Sequence, residues 1–481
     1  MATRAYRRVH KTTPRPMHSN VRTRFVIGAE RQSFFPCIQT DDRDDAADLC
    51  RCEASGSGRA IYALFGALLE RYRTGSRFLR SVPLLPGIQA GNGAVAADLA
   101  KVAYDEFRAV RRNLNLVAVA FALTALSYGL ARFAYGLLLP QIRADLALDV
   151  TEAGWIGGSA FAAYCAGIVF SFSCNGGLGP RTITLLAGLA ATLGMGCVVL
   201  ATSGLSLGLG IALAGLSTGL TSPPLAAAVS MQFSEQNRPK ANAMINAGTA
   251  VGIILSGMAA LIAAGAWREL YTLFALIGGG VTVWLWFAVP PGRIGEGIKG
   301  FQWAILKRSG LFALCCSAFL MGLSSTAIWT FGADILRNES GFTDSHVAWA
   351  WIALGAAGIS GGLTGIFTNR YGKRRVHRFA LLGMAIGTLG LAMASVSSLY
   401  GFVAMGVFGA AYIVSTGAYL IQGIDLLPDR PDLGLGIPFL VLALGQTAGN
   451  PLFGATLAAV GVINALVVFA SAAFVAIAIY P

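Results

Sequence analysis

Acidic side chains are missing from the middle of every long apolar run in this sequence; Glu152, Glu269, Asp334 and Asp425 all lie near run ends. If those runs lie in a membrane, the tunable buried carboxylate on which proton relays are usually built is missing. Any proton chemistry would then fall to an edge acid such as Asp334, to a protonatable ligand, or to none. Histidine is equally scarce: His10, His18, His346 and His377 are the only four, and no two are paired. Without paired carboxylates or a histidine cluster the chain has no constellation for hydrolysis or group transfer, so it does not read as an enzyme. The eight cysteines contain no CxxC pair and most sit inside apolar runs, so structural disulfides, a metal site or a cofactor are not expected, Cys50-x-Cys52 being the weak alternative for a metal. Charged residues make up only 12% of the chain, below what a soluble domain carries on the polar faces of its helices.

What is abundant is hydrophobic surface, at 55% of residues, with a mean hydropathy of +0.64 and 60 glycines in 481 residues. Apolar runs of about 20 residues cross a bilayer core as helices. Twelve such runs are expected, roughly over 114–138, 151–173, 182–202, 205–230, 241–264, 268–289, 309–332, 346–368, 377–397, 399–423, 434–458 and 461–480. The partner this implies is the lipid bilayer, and small residues at this frequency let helix backbones approach closely within it. A net charge of +13 could suggest nucleic acid, but the positive charge lies in short loops and the N-terminal tail rather than on one aromatic-studded face.

Residues 1–112 differ from the rest. Met1 to Ala29 is rich in Arg and Lys and free of acid. It reads as an organelle transit sequence, a disordered tail or the product of a wrongly assigned start. Beyond it the expected domains are 113–289 and 309–481, with a polar linker at 290–308. If the N-terminus is cytoplasmic, the loops on that side hold Arg181, Arg238, Lys240, Arg293, Lys299, Lys307, Arg308, the cluster from Arg370 to Arg378, and Arg430. The opposite loops hold only Arg143, Arg268 and Arg337. The positive-inside rule then puts both termini in the cytoplasm.

The halves repeat. Gly179-Pro180-Arg181 stands 193 residues before Gly372-Lys373-Arg374, and Leu148 to Trp155 stands 194 residues before Phe342 to Trp349, each a short polar run leading to a small residue and a tryptophan. Two landmarks with one offset indicate a duplicated bundle of six plus six helices.

The run Gly365-x-x-x-Asn369-Arg370-x-Gly372-Lys373-Arg374 resembles the G-x-x-x-D-R-x-G-R-R loop motif of the major facilitator superfamily, departing at Asn369 and Lys373. The copy around Gly179 and Arg181 keeps little more than those two residues. The resemblance covers about 114–480, and the first span, Gly129 to Pro140, is similar to the YbfB/YjiJ-like bacterial branch. It implies an all-α membrane protein of twelve transmembrane helices in two pseudo-symmetric bundles, acting as a monomer in the bacterial inner membrane. It implies a secondary transporter moving a small organic solute, an anion among the candidates, by alternating access, with protons as a candidate co-solute. Efflux of hydrophobic drugs, or a multipass protein that transports nothing, are the competing readings. The resemblance further implies a conformational latch at Arg181, Asn369, Arg370, Gly372, Lys373 and Arg374, where guanidinium groups meet the carbonyls of helix C-termini.

Arg132 stands apart because it lies well inside the first span. A cation there costs about 2.5 to 3.5 kcal/mol even on a lenient insertion scale. A substrate carboxylate would offset that cost; snorkelling or bonding to carbonyls near Pro140 are the structural alternatives. The repeat offset matches Arg132 with Ser325 on the seventh span. Spans 1, 4, 7 and 10 line the cavity in the family, which makes Tyr128, Tyr135, Thr326, Trp329, Tyr412 and Tyr419 further substrate-facing candidates. Gln446 and Asn450 are polar at membrane depth and are expected to bond neighbouring helices.

Overall fold

The computed structural model describes residues 93–263, 265–292, 305 and 307–479. Most of the expected N-terminal extension and of the 290–308 linker, including Arg293 and Lys299, therefore lies outside the described residues. The chain from Ala100 to Pro481 forms one compact unit; of the other, Met1–Leu99, only the start of a helix is described. That helix runs Gly93–Thr124, so helical structure begins upstream of the boundary expected at 112.

Among the described residues eleven helices are long and apolar enough to cross a membrane. They are α1 (Phe107–Leu146), α2 (Val150–Cys174), α3 (Gly177–Val199), α4 (Gly204–Gln232), α5 (Arg238–Ile262) and α6 (Trp267–Ala288). After the linker come α7 (Leu311–Asn338), α8 (Asp344–Tyr371), α9 (Lys373–Met393), α10 (Ser398–Leu426) and α11 (Leu433–Ala478). The count differs from the expected twelve because the last two expected spans form one 46-residue run, broken in conformation only at Gly461 (φ 79°, ψ 171°).

The helix starts follow from local chemistry. Asp149 Oδ1 accepts from the Glu152 amide (2.8 Å) and Glu152 Oε2 accepts from the Asp149 amide (3.1 Å), a capping box that opens α2. Ser203 and Ser206 do the same for α4. Thr343 Oγ1 accepts from the His346 amide and opens α8, 194 residues after Asp149. The spacing recurs at the preceding turn. Arg143 Nε donates to the Leu148 carbonyl and Arg337 Nη1 to the Phe342 carbonyl, each at 3.2 Å. Ala147 (φ 52°) and Gly341 (φ 70°) both take the left-handed conformation there, as Gly179 (φ 77°) and Gly372 (φ 85°) do at the next turn of each half.

Three seams join helices α1, α2 and α5 to helices α7, α11 and α8, and glycine makes each possible. A Cβ on Gly154 of α2 would lie 2.6 Å from the Asn450 carbonyl oxygen of α11, and one on Gly454 would lie 2.4 Å from that of Val150. Gly257 of α5 and Gly355 of α8 pack on Ile352 and Ile253. Gly136 of α1 lies against the Trp329 carbonyl of α7. Within the first half, Gly248-x-x-x-Gly252 of α5 abuts the backbone of α1 at Phe121 and Ala125, a small-residue crossing of the kind membrane helices use in place of hydrophobic association. The outward faces expose large apolar side chains such as Leu276, Phe287 and Phe312, a surface suited to acyl chains.

Candidate functional site

Within α1 the backbone from Ala125 to Phe133 adopts a π-helix, a wide turn that often accompanies function. It sits where the glycines of α5 crowd α1: a Cβ on Gly129 would stand 2.2 Å from the Gly252 carbonyl carbon. Arg132 lies near the end of this segment and is only 6% exposed.

Its guanidinium carbon lies 4.3 Å from the Phe133 ring centroid, 4.7 Å from Tyr164, and 5.0 Å from Tyr128 and Phe161. Each desolvated cation–π contact contributes up to about 2 kcal/mol, which is enough to offset the burial cost of the charge. The rings cannot satisfy hydrogen bonds. Nε and Nη1 are buried and have no partner, and each unsatisfied buried donor costs roughly 1 to 3 kcal/mol. The aromatic cage therefore holds a cation in place while its donors stay open, and an arriving carboxylate or comparable anion would fill that deficit.

The aromatic wall continues into the second half. Phe133 stacks on Trp329 of α7 with centroids 4.1 Å apart, and Trp329 meets Tyr412 edge-on at 5.1 Å. Trp329 Nε1 is also buried without a partner. A cavity of about 10 Å³ lies beside Trp329, lined by Ile253, Leu354 and Ile413 among others, at the lower limit for one water.

Of the other candidates, Tyr128 faces the guanidinium and its hydroxyl pairs with Ser222 Oγ of α4 at 3.0 Å, where Ser222 is exposed. Tyr135 turns away, donating to the Ala153 carbonyl of α2 at 3.0 Å. Ser325 Oγ donates to the Gly322 carbonyl and accepts from Gln446 Nε2, which also donates to the Tyr412 hydroxyl. Thr326 bonds the Leu323 carbonyl of its own helix. Tyr419 is buried beside Ser317 and His377, its hydroxyl 2.7 Å from Ser317 Oγ. The structure thus brings Tyr128, Trp329 and Tyr412 into the aromatic system around Arg132, while Tyr135, Thr326 and Tyr419 have local partners and Ser325 belongs to the Gln446 network.

At the basic loop, Arg181 Nε donates at 2.7 Å to the Val289 carbonyl that ends α6, the contact expected of a guanidinium at a helix C-terminus. Lys373 pairs with Asp425 of α10, and Arg308 with Asp429 at 2.7 Å. Asn369, Arg370 and Arg374 are exposed, with the Arg370 guanidinium 5.5 Å from the Tyr371 ring. Gly372 supplies the positive φ of the turn and has open space around it.

Sequence reasoning missed three cage rings, Phe133, Phe161 and Tyr164. The Phe161-x-x-Tyr164 spacing, one helical turn on α2, was the signal available. It also missed a tie at the other end of the bundle. Arg143 Nη1 of α1 lies 2.5 Å from Asp334 Oδ2 of α7, while Asn338 Nδ2 donates to Asp334 Oδ1 at 2.9 Å. Asp334 is 3% exposed and is the one acidic side chain buried among the described residues.

The sequence matches the family model for the Major Facilitator Superfamily over residues 121–430. Among solved structures, the chain resembles a mutant of the nucleoside transporter NupG, with a TM-score of 0.65 and 14% identity over 75% of this chain and 98% of that one. It also resembles a bacterial homolog of the human lysosomal transporter Spinster in an inward-facing, unoccupied conformation, with a TM-score of 0.62 and 15% identity over 77% and 96%. Identities this low carry the fold alone. Among curated proteins none matches the sequence. The helical membrane bundle and a family match over most of the chain lead to one conclusion: this chain belongs to the major facilitator superfamily, a family of secondary transporters and not of enzymes.

Proposed function

We propose that the protein carries a small organic anion across the bacterial inner membrane by alternating access, with Arg132 as the group that holds the anion. One observation carries this reading: an arginine only 6% exposed, its guanidinium caged by rings and its buried Nε and Nη1 donors left open. A purely structural arginine at such depth would be expected to bond carbonyls or an acid through those atoms. Trp329 and Tyr412 complete the site from the second half, and Tyr128 stands on its solvent side.

In this reading α11 turns back at Gly461 and crosses twice, which makes twelve spans in two bundles, 113–289 and 309–481, with both termini on the basic, cytoplasmic side. The resemblance of the first span to the YbfB/YjiJ-like branch fits a bacterial setting. Arg143 and Asp334 then close the periplasmic end, and the conserved offset between the halves supports a rocking motion about the α2–α11 and α5–α8 seams. The basic loop acts at the opposite end. Arg181 and Lys373 hold neighbouring helix ends, and exposed Asn369 and Arg370 would exchange partners as the halves rock. Asp334 is the carboxylate placed to couple proton binding to opening, since protonation removes its attraction for Arg143. The protein works as a monomer in this scheme.

The test is uptake into proteoliposomes of labelled carboxylates, amines, sugars and uridine, with and without a pH gradient. The reading predicts saturable carboxylate uptake that Arg132→Ala abolishes. Movement of uncharged hydrophobic dyes alone would establish efflux of apolar compounds instead.

A further inference from the structure

We infer that the solute is a flat, ring-bearing monocarboxylate, an aromatic acid rather than an aliphatic one; this rests on the anion reading of Arg132. Two observations beyond the open donors point there. First, four aromatic rings, Phe133, Tyr164, Tyr128 and Phe161, surround the guanidinium, and the series continues through Phe133 stacked on Trp329, with interplanar angle 24°, to Tyr412. The body of a carboxylate placed on Arg132 would meet these faces, since Phe133 of α1 and Trp329 of α7 lie stacked with centroids 4.1 Å apart. A planar ring that parts them recovers the offset and edge contacts they prefer, and a puckered or flexible body recovers fewer. Second, the charge balance is single. Among the described residues the buried basic or acidic side chains are Arg132, His377 and Asp334, and Asp334 is already bound to Arg143. One carboxylate neutralises Arg132, and a second would be buried without a partner.

Trp329 adds a finer preference. Its Nε1–H is buried and unpartnered, on the ring that stacks against Phe133. An acceptor on the solute's ring, such as a hydroxyl or ring oxygen, would satisfy it within two ring spacings of the guanidinium. Tyr128 is the ring positioned to move on entry, because it is the cage member tethered to exposed Ser222.

The experiment measures binding to the purified full chain in detergent by ligand-dependent thermal stabilisation, which avoids passive permeation of weak acids. The probes are benzoate, 4-hydroxybenzoate, cyclohexanecarboxylate, succinate and benzamide. The expected order places benzoate about tenfold tighter than cyclohexanecarboxylate, with 4-hydroxybenzoate at least as tight and succinate and benzamide weakest. Trp329→Leu should bring benzoate affinity down to that of cyclohexanecarboxylate in the same variant, and Trp329→Phe should keep most of the preference. Equal binding of benzoate and cyclohexanecarboxylate, or tightest binding of succinate, would overturn the aromatic inference and leave the anion reading standing. Binding of benzamide with no carboxylate binding would overturn both.

Discussion

Arg143 and Asp334 are 191 residues apart in the chain and joined by a 2.5 Å ion pair that ties the end of α1 to the end of α7. Asp334 is nearly sealed and Arg143 is one-fifth exposed, so the pair belongs between the surface and buried regimes. Removing one partner from a buried pair costs roughly 3 to 5 kcal/mol, because the other charge is stranded. The partial exposure of Arg143 places the expected loss at or below the lower end of that range.

Asp334→Asn and Arg143→Ala should each lower the melting temperature of the purified protein. The double variant should lose less than the sum of the two, a positive coupling read from a double-mutant cycle. If the pair also closes one end, reagents should reach a cysteine introduced at Gly332 faster in Asp334→Asn than in its parent. Equal rates would make the pair a static brace.

The crossing of α1 and α5 depends on having no side chain there. Gly252→Ala would drive a Cβ to 2.3 Å from the Ala125 carbonyl oxygen, whereas a Cβ on Gly279 of α6 meets nothing within 4 Å. Gly252→Ala is expected to reduce folded yield severely. Gly279→Ala should be neutral or stabilising by up to about 1 kcal/mol, from helix propensity. Size-exclusion profiles and melting curves of the two variants check this contrast.

Gln446 Nε2 bonds both Ser325 (3.0 Å) and Tyr412 (3.2 Å), linking α11 to α7 and α10. Gln446→Leu strands the buried Tyr412 hydroxyl, while Ser325 keeps its bond to the Gly322 carbonyl, and should destabilise by roughly 1 to 3 kcal/mol. The added substitution Tyr412→Phe should restore part of that loss. Thermal unfolding of the single and double variants measures it.

The spans and the repeat were legible in the sequence for plain reasons. A bilayer demands runs of about 20 apolar residues, and duplicated turns keep their chemistry: Asp149 and Thr343 cap, Arg143 and Arg337 bond back, Gly179 and Gly372 supply positive φ. The break expected between the last two runs, 434–458 and 461–480, falls at Gly461, where the helix loses its helical conformation, although no polar loop marks that turn. The cage was hidden because its rings come from α1 and α2, and nothing in the spacing of α1 announces a π-helix. A π-turn closes from residue i to i+5, so a register counted at 3.6 residues per turn slips there. That slip accounts for Tyr128 facing Arg132 while Tyr135 faces Ala153. Tyr419 shares the tenth expected span with Tyr412, yet Ser317 and His377 occupy its surroundings.

The most direct test of the account compares carboxylate binding and uptake by the parent protein, Arg132→Lys and Arg132→Ala, each first shown to be folded by its melting curve. The account predicts that Arg132→Ala stays folded, because it removes a cation whose donors were unsatisfied, and loses carboxylate transport by at least about a hundredfold, on the order of 3 kcal/mol for a lost charged hydrogen bond. Arg132→Lys should retain a part of it. Carboxylate transport unchanged in a folded Arg132→Ala protein would contradict the central claim that this guanidinium holds the solute.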